Sequence, residues 1–348
     1  MYHHTVGAGR YDEAVELFID RLAEQLFYRF GAYQTRIELL RALFPDGEDK
    51  SPRLKDEGDQ AWTLNALAGS YAFSGQTKRA IPLTKMSNEI YEKQGNKENL
   101  TTGLMNLASV LQIEIGEPDA ESNLRRSIEI CREIKDEFHE AIGHGELGRL
   151  LAYRGNFEES EKELDKSLEL FTKLNEPQSQ GIVWAYRSIR YLLMSDTDKA
   201  LNSAKKSREP ADVGKVERDI IRAEHLLGAV YLMKGLIPEA EKHLTNALTR
   251  DRKINLVEFE PDILLEFAKL RFRQGHNEES LKFAREALRI ADRCEYRLKQ
   301  ADIHNFLAEF YFNSDAGKAK EHAGIAEERA SCGYAPALEK ARGILNKL

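Results

Sequence analysis

Residues 221–250, IRAEHLLGAVYLMKGLIPEAEKHLTNALTR, set the pattern that the rest of the chain repeats. Large apolar residues (Leu227, Tyr231, Leu244) alternate with small ones (Gly228, Ala240, Ala247) at helical spacing, on either side of Lys234-Gly235. The spacing predicts one helix, a tight turn, and a second helix running back. The small residues let the two helices approach, and the large ones fill the space between them. A lone hairpin of this kind cannot bury its apolar face, so the pattern requires neighbours stacked on both sides.

Those neighbours are present. The turn residue recurs as Gly75, Gly116, Gly155, Ser195, Gly235, Gly275 and Asp315, in steps of 41, 39, 40, 40, 40 and 40. The position four residues earlier is aromatic or aliphatic in most copies: Tyr71, Leu111 or Gln112, Leu151, Tyr191, Tyr231 and Tyr311, with Arg271 as the exception. Small residues precede it (Ala68, Ala108, Gly148, Ser188, Gly228, Ala268, Ala308) and follow it (Ala80, Ala120, Ser160, Ala200, Ala240, Ser280, Ala319). A fixed period of this length denotes stacked supersecondary units. Seven hairpins are predicted over residues 59–330, with connectors at Gly95, Asp136, Asn175, Pro210 to Gly214, Asn255 and Cys294. Pro118, Pro238 and Pro261 fall near helix starts, whereas Pro82 falls deeper and predicts a kink or a late start.

Residues 1–58 depart from the period. A short helical tail ending at Gly9 precedes a helix from Tyr11 to Phe27, then one from Tyr33 to Phe44 that Pro45-Asp46-Gly47 stops. Residues 46–58 are charged and read as a loop. The chain thus opens in mid-repeat, and the expectation is a fragment of a longer protein. Residues 331–348 are expected to form a closing helix, with Leu338, Ala341, Ile344 and Leu345 on one face.

The repeat resembles the tetratricopeptide repeat, whose signature is W-x2-L-G-x2-Y followed by A-x3-F. Leu227-Gly228-x2-Tyr231 and Leu147-Gly148 match it, Trp184 stands at the Trp position ahead of Tyr191, and Ala14-x3-Phe18 matches the second helix. The closing proline is mostly missing, and a period of ~40 in place of 34 predicts longer helices in each pair. The resemblance implies an all-α, right-handed superhelical solenoid. The stretches NLRRSIEICREIKDEFHEAIGHGELGRLLAYRG and INLVEFEPDILLEFAKLRF are similar to the long-period repeat arrays that follow the ATPase core in STAND-class signalling proteins. That likeness implies a non-catalytic sensor for a protein, peptide or small-molecule trigger, with an ATPase domain upstream in the native protein. The alternative is a stand-alone protein–protein adaptor with several patches in use on both faces.

Composition narrows the partners. The net charge is -7 and the pI about 5.8, which argues against non-specific nucleic-acid binding by the chain as a whole. No run reaches the ~18 apolar residues of a membrane span, and residues 1–13 lack the features of a secretory signal. Cys131, Cys294 and Cys332 are odd in number and widely spaced, which fits a reducing cytoplasm better than a disulfide framework. No cofactor motif is legible. Gly143 to Gly148 fits G-x-G-x-x-G, but no strand precedes it and Gly148 holds a repeat packing position. His139 and His144 are five apart, off the single helix face that a zinc-protease pair needs.

Two cations break the repeat: Arg187, where other copies have Leu or Phe, and Arg271. An internal ion pair or a surface-seeking side chain explains each; a ligand-facing charge is the sharper reading. In this fold the first helix of each pair lines the concave side. The candidate ligand residues there are Glu146, Arg149, Trp184, Tyr186, Arg187, Arg222, His225 and Lys269. Arginine forks and aromatic faces suit a peptide or a small anionic ligand. Asn106 and Lys269 stand too far apart in the pattern for the Lys/Asn clamp of chaperone-tail binders. Glu146, Arg222 and His225 are the best group available for catalysis, and nothing in their spacing supports a reaction.

Overall fold

The computed structural model describes residues 1–29, 32–110 and 119–348. Gly116, Leu111, Gln112 and Pro118 lie outside the described residues. Among the described residues the regular secondary structure is all helix, without a strand. Helices α1 (Tyr2–Gly7) and α2 (Tyr11–Phe18) lead into two wide π-type turns, Ile19–Ala23 and Gln25–Arg29, and then α3 (Tyr33–Arg41). Seven hairpins follow: α4 (Glu57–Phe73) with α5 (Thr77–Lys93), α6 (Lys97–Val110) with α7 (Ala120–Ile134), and α8 (Glu137–Tyr153) with α9 (Phe157–Lys173). The next four are α10 (Pro177–Leu193) with α11 (Thr197–Gly214), α12 (Glu217–Met233) with α13 (Ile237–Ile254), α14 (Glu260–Arg273) with α15 (Asn277–Cys294), and α16 (Arg297–Tyr311) with α17 (Ala316–Ala330). Helix α18 (Ala335–Leu345) packs on the last pair.

The hairpins keep one length because the chain turns at one interval. Gly75, Gly155, Ser195, Gly235 and Gly275 end first helices with positive φ; Gly95, Lys135, Asn175, Lys215, Asn255 and Glu295 end second helices the same way. A left-handed residue therefore recurs every twenty positions from Gly75 to Gly95 and again from Lys135 to Glu295. That conformation stops a helix and satisfies its last carbonyls, and most of these positions carry glycine or asparagine, which adopt it at least cost. Connectors expected at Asp136, Pro210 to Gly214 and Cys294 turn instead at Lys135, Lys215 and Glu295. Pro210 lies inside α11, where its ring packs against Gly181; a Cβ on that glycine would come within 3.2 Å of it. Pro82 lies inside α5, which starts on schedule at Thr77. Asp315 is not left-handed; its side chain caps α17 through the Lys318 amide.

Each hairpin is closed by its small residues. A Cβ on Gly228 would stand 2.6 Å from the Leu244 side chain and 3.2 Å from its backbone nitrogen. Where serine replaces glycine or alanine, its hydroxyl donates across the pair: Ser160 to the Gly148 carbonyl (2.6 Å), Ser188 to Ala200 (3.0 Å) and Ser280 to Ala268 (2.8 Å). Position and hydroxyl together hold helix on helix without an orphaned buried donor.

The N-terminal helices and the first hairpin share one core, in which Tyr2, Phe18, Leu40 and Leu43 pack with Leu64, Leu67, Tyr71 and Leu83. The coil then returns on itself. Gly75 abuts Cys294 and Val257, and Lys78 pairs with Glu295. Tyr33 stacks on Phe73, Phe27 meets both rings edge-on, and the three join the core of α12 and α14 through Ile221 and Phe259. Half a turn further on, Tyr153 meets Tyr334 edge-on, and Gly155 faces Ala335.

Tight packing at Gly228 predicts that Gly228→Val lowers stability by about 1–3 kcal/mol through overpacking. Gly324, with open space around its α-carbon inside α17, predicts the reverse: Gly324→Ala raises stability by ~0.5–1 kcal/mol. Urea-unfolding midpoints of the two variants check both signs.

Candidate functional site

The returning coil encloses part of its own concave face. The result is a cavity of about 800 Å³ whose walls come from the N-terminal helices and from hairpins as far along the chain as Glu258. Ile19, Ala23 and Phe27 of the N-terminal turns face Trp62 and Phe73 of α4, Phe138 and Ile142 of α8, Phe171 of α9 and Ile182 of α10. On α8, Phe138, Ile142, Gly145 and Glu146 share one face by 3.6-residue spacing; Ser179, Ile182 and Tyr186 do the same on α10, and Arg218 and Arg222 on α12. Gly145 has no side chain to intrude, and a Cβ there would lie 3.1 Å from Ser167 Oγ.

Polar groups gather at one end. Arg218 donates twice to Glu258, from Nε and from Nη2 at 2.9 Å each, and its guanidinium lies 4.9 Å from the Phe73 ring centre. Arg222 bonds Asp219 at 3.1 Å and sits 5.4 Å from the centre of Phe259. The Tyr186 hydroxyl donates to Glu146 at 2.5 Å, and Arg149 pairs with the other Glu146 oxygen while lying over the Tyr186 ring. Burial pushes the Glu258 carboxyl up, but Arg218 and Arg222 outweigh it and hold the group below its ordinary range. Burial, with Glu146, pushes the Tyr186 phenol well up, so it remains a donor. Elsewhere on the lining, Asn106 Nδ2 donates to Asn65 Oδ1 at 3.1 Å, which leaves amide donors and acceptors facing the space.

Of the eight residues expected on the concave face, Glu146, Tyr186 and Arg222 line the cavity, and Arg149 is buried directly behind Tyr186. His225 and Lys269 lie further along the trough. Lys269 bonds Glu266 there at 2.6 Å, while burial pushes the His225 imidazole down against the pull of Asp262 and Glu266. No hydrogen bond joins Glu146 to His225. Trp184 and Arg187 are corrections: they face the second helices. Arg187 pairs with Asp165 of α9 and lies over Trp184, and Lys206 of α11 covers that ring at 4.0 Å. Trp184 is two residues from cavity-lining Ile182, about 200° around the helix, so the two cannot share a face. Arg271 is likewise satisfied internally, by Glu241 at 2.7 Å and Glu279 at 3.0 Å. Gly148 and Gly143 pack against Leu164 and Ile128, as glycines of a hairpin contact.

Arg218 and Glu258 were absent from the expected set. Arg218 was legible in principle, since it precedes Arg222 by one helical turn. Glu258 sits in a connector with no periodicity, and the wall from Ile19 to Phe27 depends on where the coil returns.

A buried carboxyl lies behind this region. Asp251 occupies the position filled by Ala211 and Ala291 in adjacent repeats, it is 1% exposed, and neither oxygen has a hydrogen-bond partner. Burial, then Glu260 and Glu258, push it up to about 8.

No family model matches the chain, and no curated protein does. Solved structures do. A Rap protein complexed with competence and sporulation factor superposes with a TM-score of 0.58 at 17% identity, over 84% of this chain and 73% of that one. The apo form of RapI gives 0.57 at 16% identity, over 84% and 98%. A STAND protein with a tetratricopeptide repeat sensor, from Pyrococcus horikoshii, gives 0.50 at 19% identity, over 92% of this chain and 47% of that protein, so the chain spans about half its length. The shared feature is the fold: this chain is a tetratricopeptide-like helical repeat array.

The raised Asp251 carboxyl predicts a pH-dependent cost. The unfolded chain ionises this group near pH 4 and the folded chain only near 8, so the folded state loses stability as pH rises through that window. Asp251→Ala is therefore more stable than the parent, by a margin that grows on the order of 2 kcal/mol or more between pH 5 and pH 8 in paired urea titrations.

Proposed function

We propose that the chain is a ligand-responsive sensor module, and that its trigger is a short peptide or a peptide-sized small molecule held in the enclosed trough. The supporting observation is the origin of the walls. One side belongs to the N-terminal turns (Ile19, Phe27) and the other to α8, α10 and α12 (Glu146, Tyr186, Arg222), so a bound ligand touches segments about 200 residues apart. Occupancy would tie the N-terminal helices to the middle of the array, which is what a sensor needs in order to report on its ligand. The volume lies in the range of small-ligand sites and is too small for a folded domain. The aromatic wall suits apolar side chains, the Asn65–Asn106 pair suits a peptide main chain, and the arginine cluster suits a carboxylate.

The likeness to a Rap protein complexed with competence and sporulation factor, and to a STAND protein with a repeat sensor, supports a binding role over a catalytic one. We place the module within a larger STAND-type cytoplasmic protein, downstream of an ATPase domain. The adaptor alternative would spread the working surface over several patches on both faces, with no single deep pocket.

Screening the chain by calorimetry against short peptides and peptide-sized anions tests this reading. A true ligand loses at least about tenfold in affinity, or ~1.4 kcal/mol, in Arg222→Ala and in Phe27→Ala alike. It also slows amide exchange in residues 11–27. A ligand whose affinity ignores both substitutions binds elsewhere and overturns the proposal.

A further inference from the structure

One wall of the enclosed trough is hollowed. The cavity-facing residues of α4 include Trp62, Asn65, Ala66, Gly69, Ala72 and Phe73, large at the two ends and small between them. By helical phase Gly69 lies within about 40° of both Trp62 and Phe73, at the middle of that face. A Cβ on Gly69 would meet no atom within 4 Å, whereas one on Gly145, which also lines the cavity, would lie 3.1 Å from Ser167 Oγ. Every other hairpin carries a side chain at the position of Gly69: Ser109, Arg149, Ile189, Ala229, Lys269 and Glu309.

The rings that bound the hollow are anchored and cannot swing in to fill it. Phe18 meets Trp62 edge-on with ring centres 6.2 Å apart, while Phe73 is stacked on Tyr33 at 5.3 Å and met edge-on by Phe27. Helix rise sets the α-carbons of Trp62 and Phe73 about 16 Å apart, which leaves room above Gly69 for an aromatic ring or a branched aliphatic group. The atoms around such a space lack dispersion partners, which an apolar group would supply. The charged end of the cavity adjoins it. Phe73 lies one turn of α4 beyond Gly69, about 6 Å of rise, and the Arg218 guanidinium lies 4.9 Å from the Phe73 ring centre, with Arg222 next on the same face of α12.

We infer that the recess over Gly69 is the subsite for a bulky apolar group of the ligand, aromatic or branched aliphatic, carried within one or two residues of an acid group received at Arg218 and Arg222. The inference rests on the sensor reading of the trough and adds the ligand's chemistry: an apolar carboxylate, such as the hydrophobic C-terminal end of a peptide. Gly69 sets the size of group that the subsite admits.

Anilinonaphthalene sulfonate, which joins a fused aromatic ring system to a single anionic group, is the probe. Titrated into the full chain, it should bind at one site with enhanced, blue-shifted fluorescence. Gly69→Leu puts a side chain into the recess and should weaken binding at least tenfold; leucine is also the better helix former, so Tm should not fall. Gly69→Ala should weaken binding far less, and Gly324→Leu, on the exposed surface of α17, should leave it unchanged. Binding that falls in Arg222→Ala but persists in Gly69→Leu overturns the recess and leaves the sensor reading standing. Binding that ignores both substitutions places the probe outside the trough and overturns the recess as well. No binding by the parent overturns the recess alone, since the peptide titrations test the trough independently.

Discussion

Everything in this molecule follows from the interval at which the backbone turns. A left-handed residue every twenty positions gives helices of nearly equal length, and equal helices joined at equal turns must coil. The small-residue contacts then set how closely each pair packs, and with it the pitch. After roughly five hairpins the coil meets itself: the α4–α5 turn rests on the connector around Glu295, and the α8–α9 turn rests on α18. An open array would expose its concave face to solvent. This one encloses part of that face, and the enclosure makes a groove into a cavity.

The enclosed surface carries an unusual burden of charge. Arg149, Arg222, Asp219 and Glu258 are all buried, and each finds an opposite charge on its own or a neighbouring element. Such networks add little net stability over apolar packing, since desolvation offsets most of the attraction. What they supply is orientation: forked guanidinium groups fixed by Glu258 and Asp219 and backed by Tyr186, Phe73 and Phe259. That is the arrangement expected where a ligand must be recognised, and here it borders the space that the N-terminal turns cover.

The hairpins were legible because their determinants are local. Gly228 with Ala240, or Gly148 with Ser160, reveals a helix pair from spacing alone, and the seven pairs lie where the period puts them. Turn positions slipped by a residue at Lys135, Lys215 and Glu295, since a non-glycine in a left-handed turn leaves little mark in the sequence. Pro210 read as a connector because a proline ordinarily breaks a helix, and the partner that accommodates it, Gly181, is 29 residues away. The site was half legible. Glu146, Tyr186 and Arg222 follow from helical phase, whereas Trp184 is out of phase with Ile182 and Arg187 is drawn to Asp165 on the second helix, a pairing that spacing along one helix does not reveal. The N-terminal wall was beyond reach, because it exists only once five hairpins have been stacked.

The return of the coil is thus the claim on which the cavity and the sensor reading both stand, and one ion pair reports on it directly. Lys78 and Glu295, 217 residues apart in sequence, lie at 2.5 Å. A carbodiimide forms an amide only between an amine and a carboxylate already in contact. Treating the monomeric chain with it and mapping the products by mass spectrometry should yield a Lys78–Glu295 link alongside a Lys234–Asp198 link, whose groups pair across two neighbouring hairpins. The second link without the first would mean that the hairpins stack but never come round, and the enclosed trough would be contradicted.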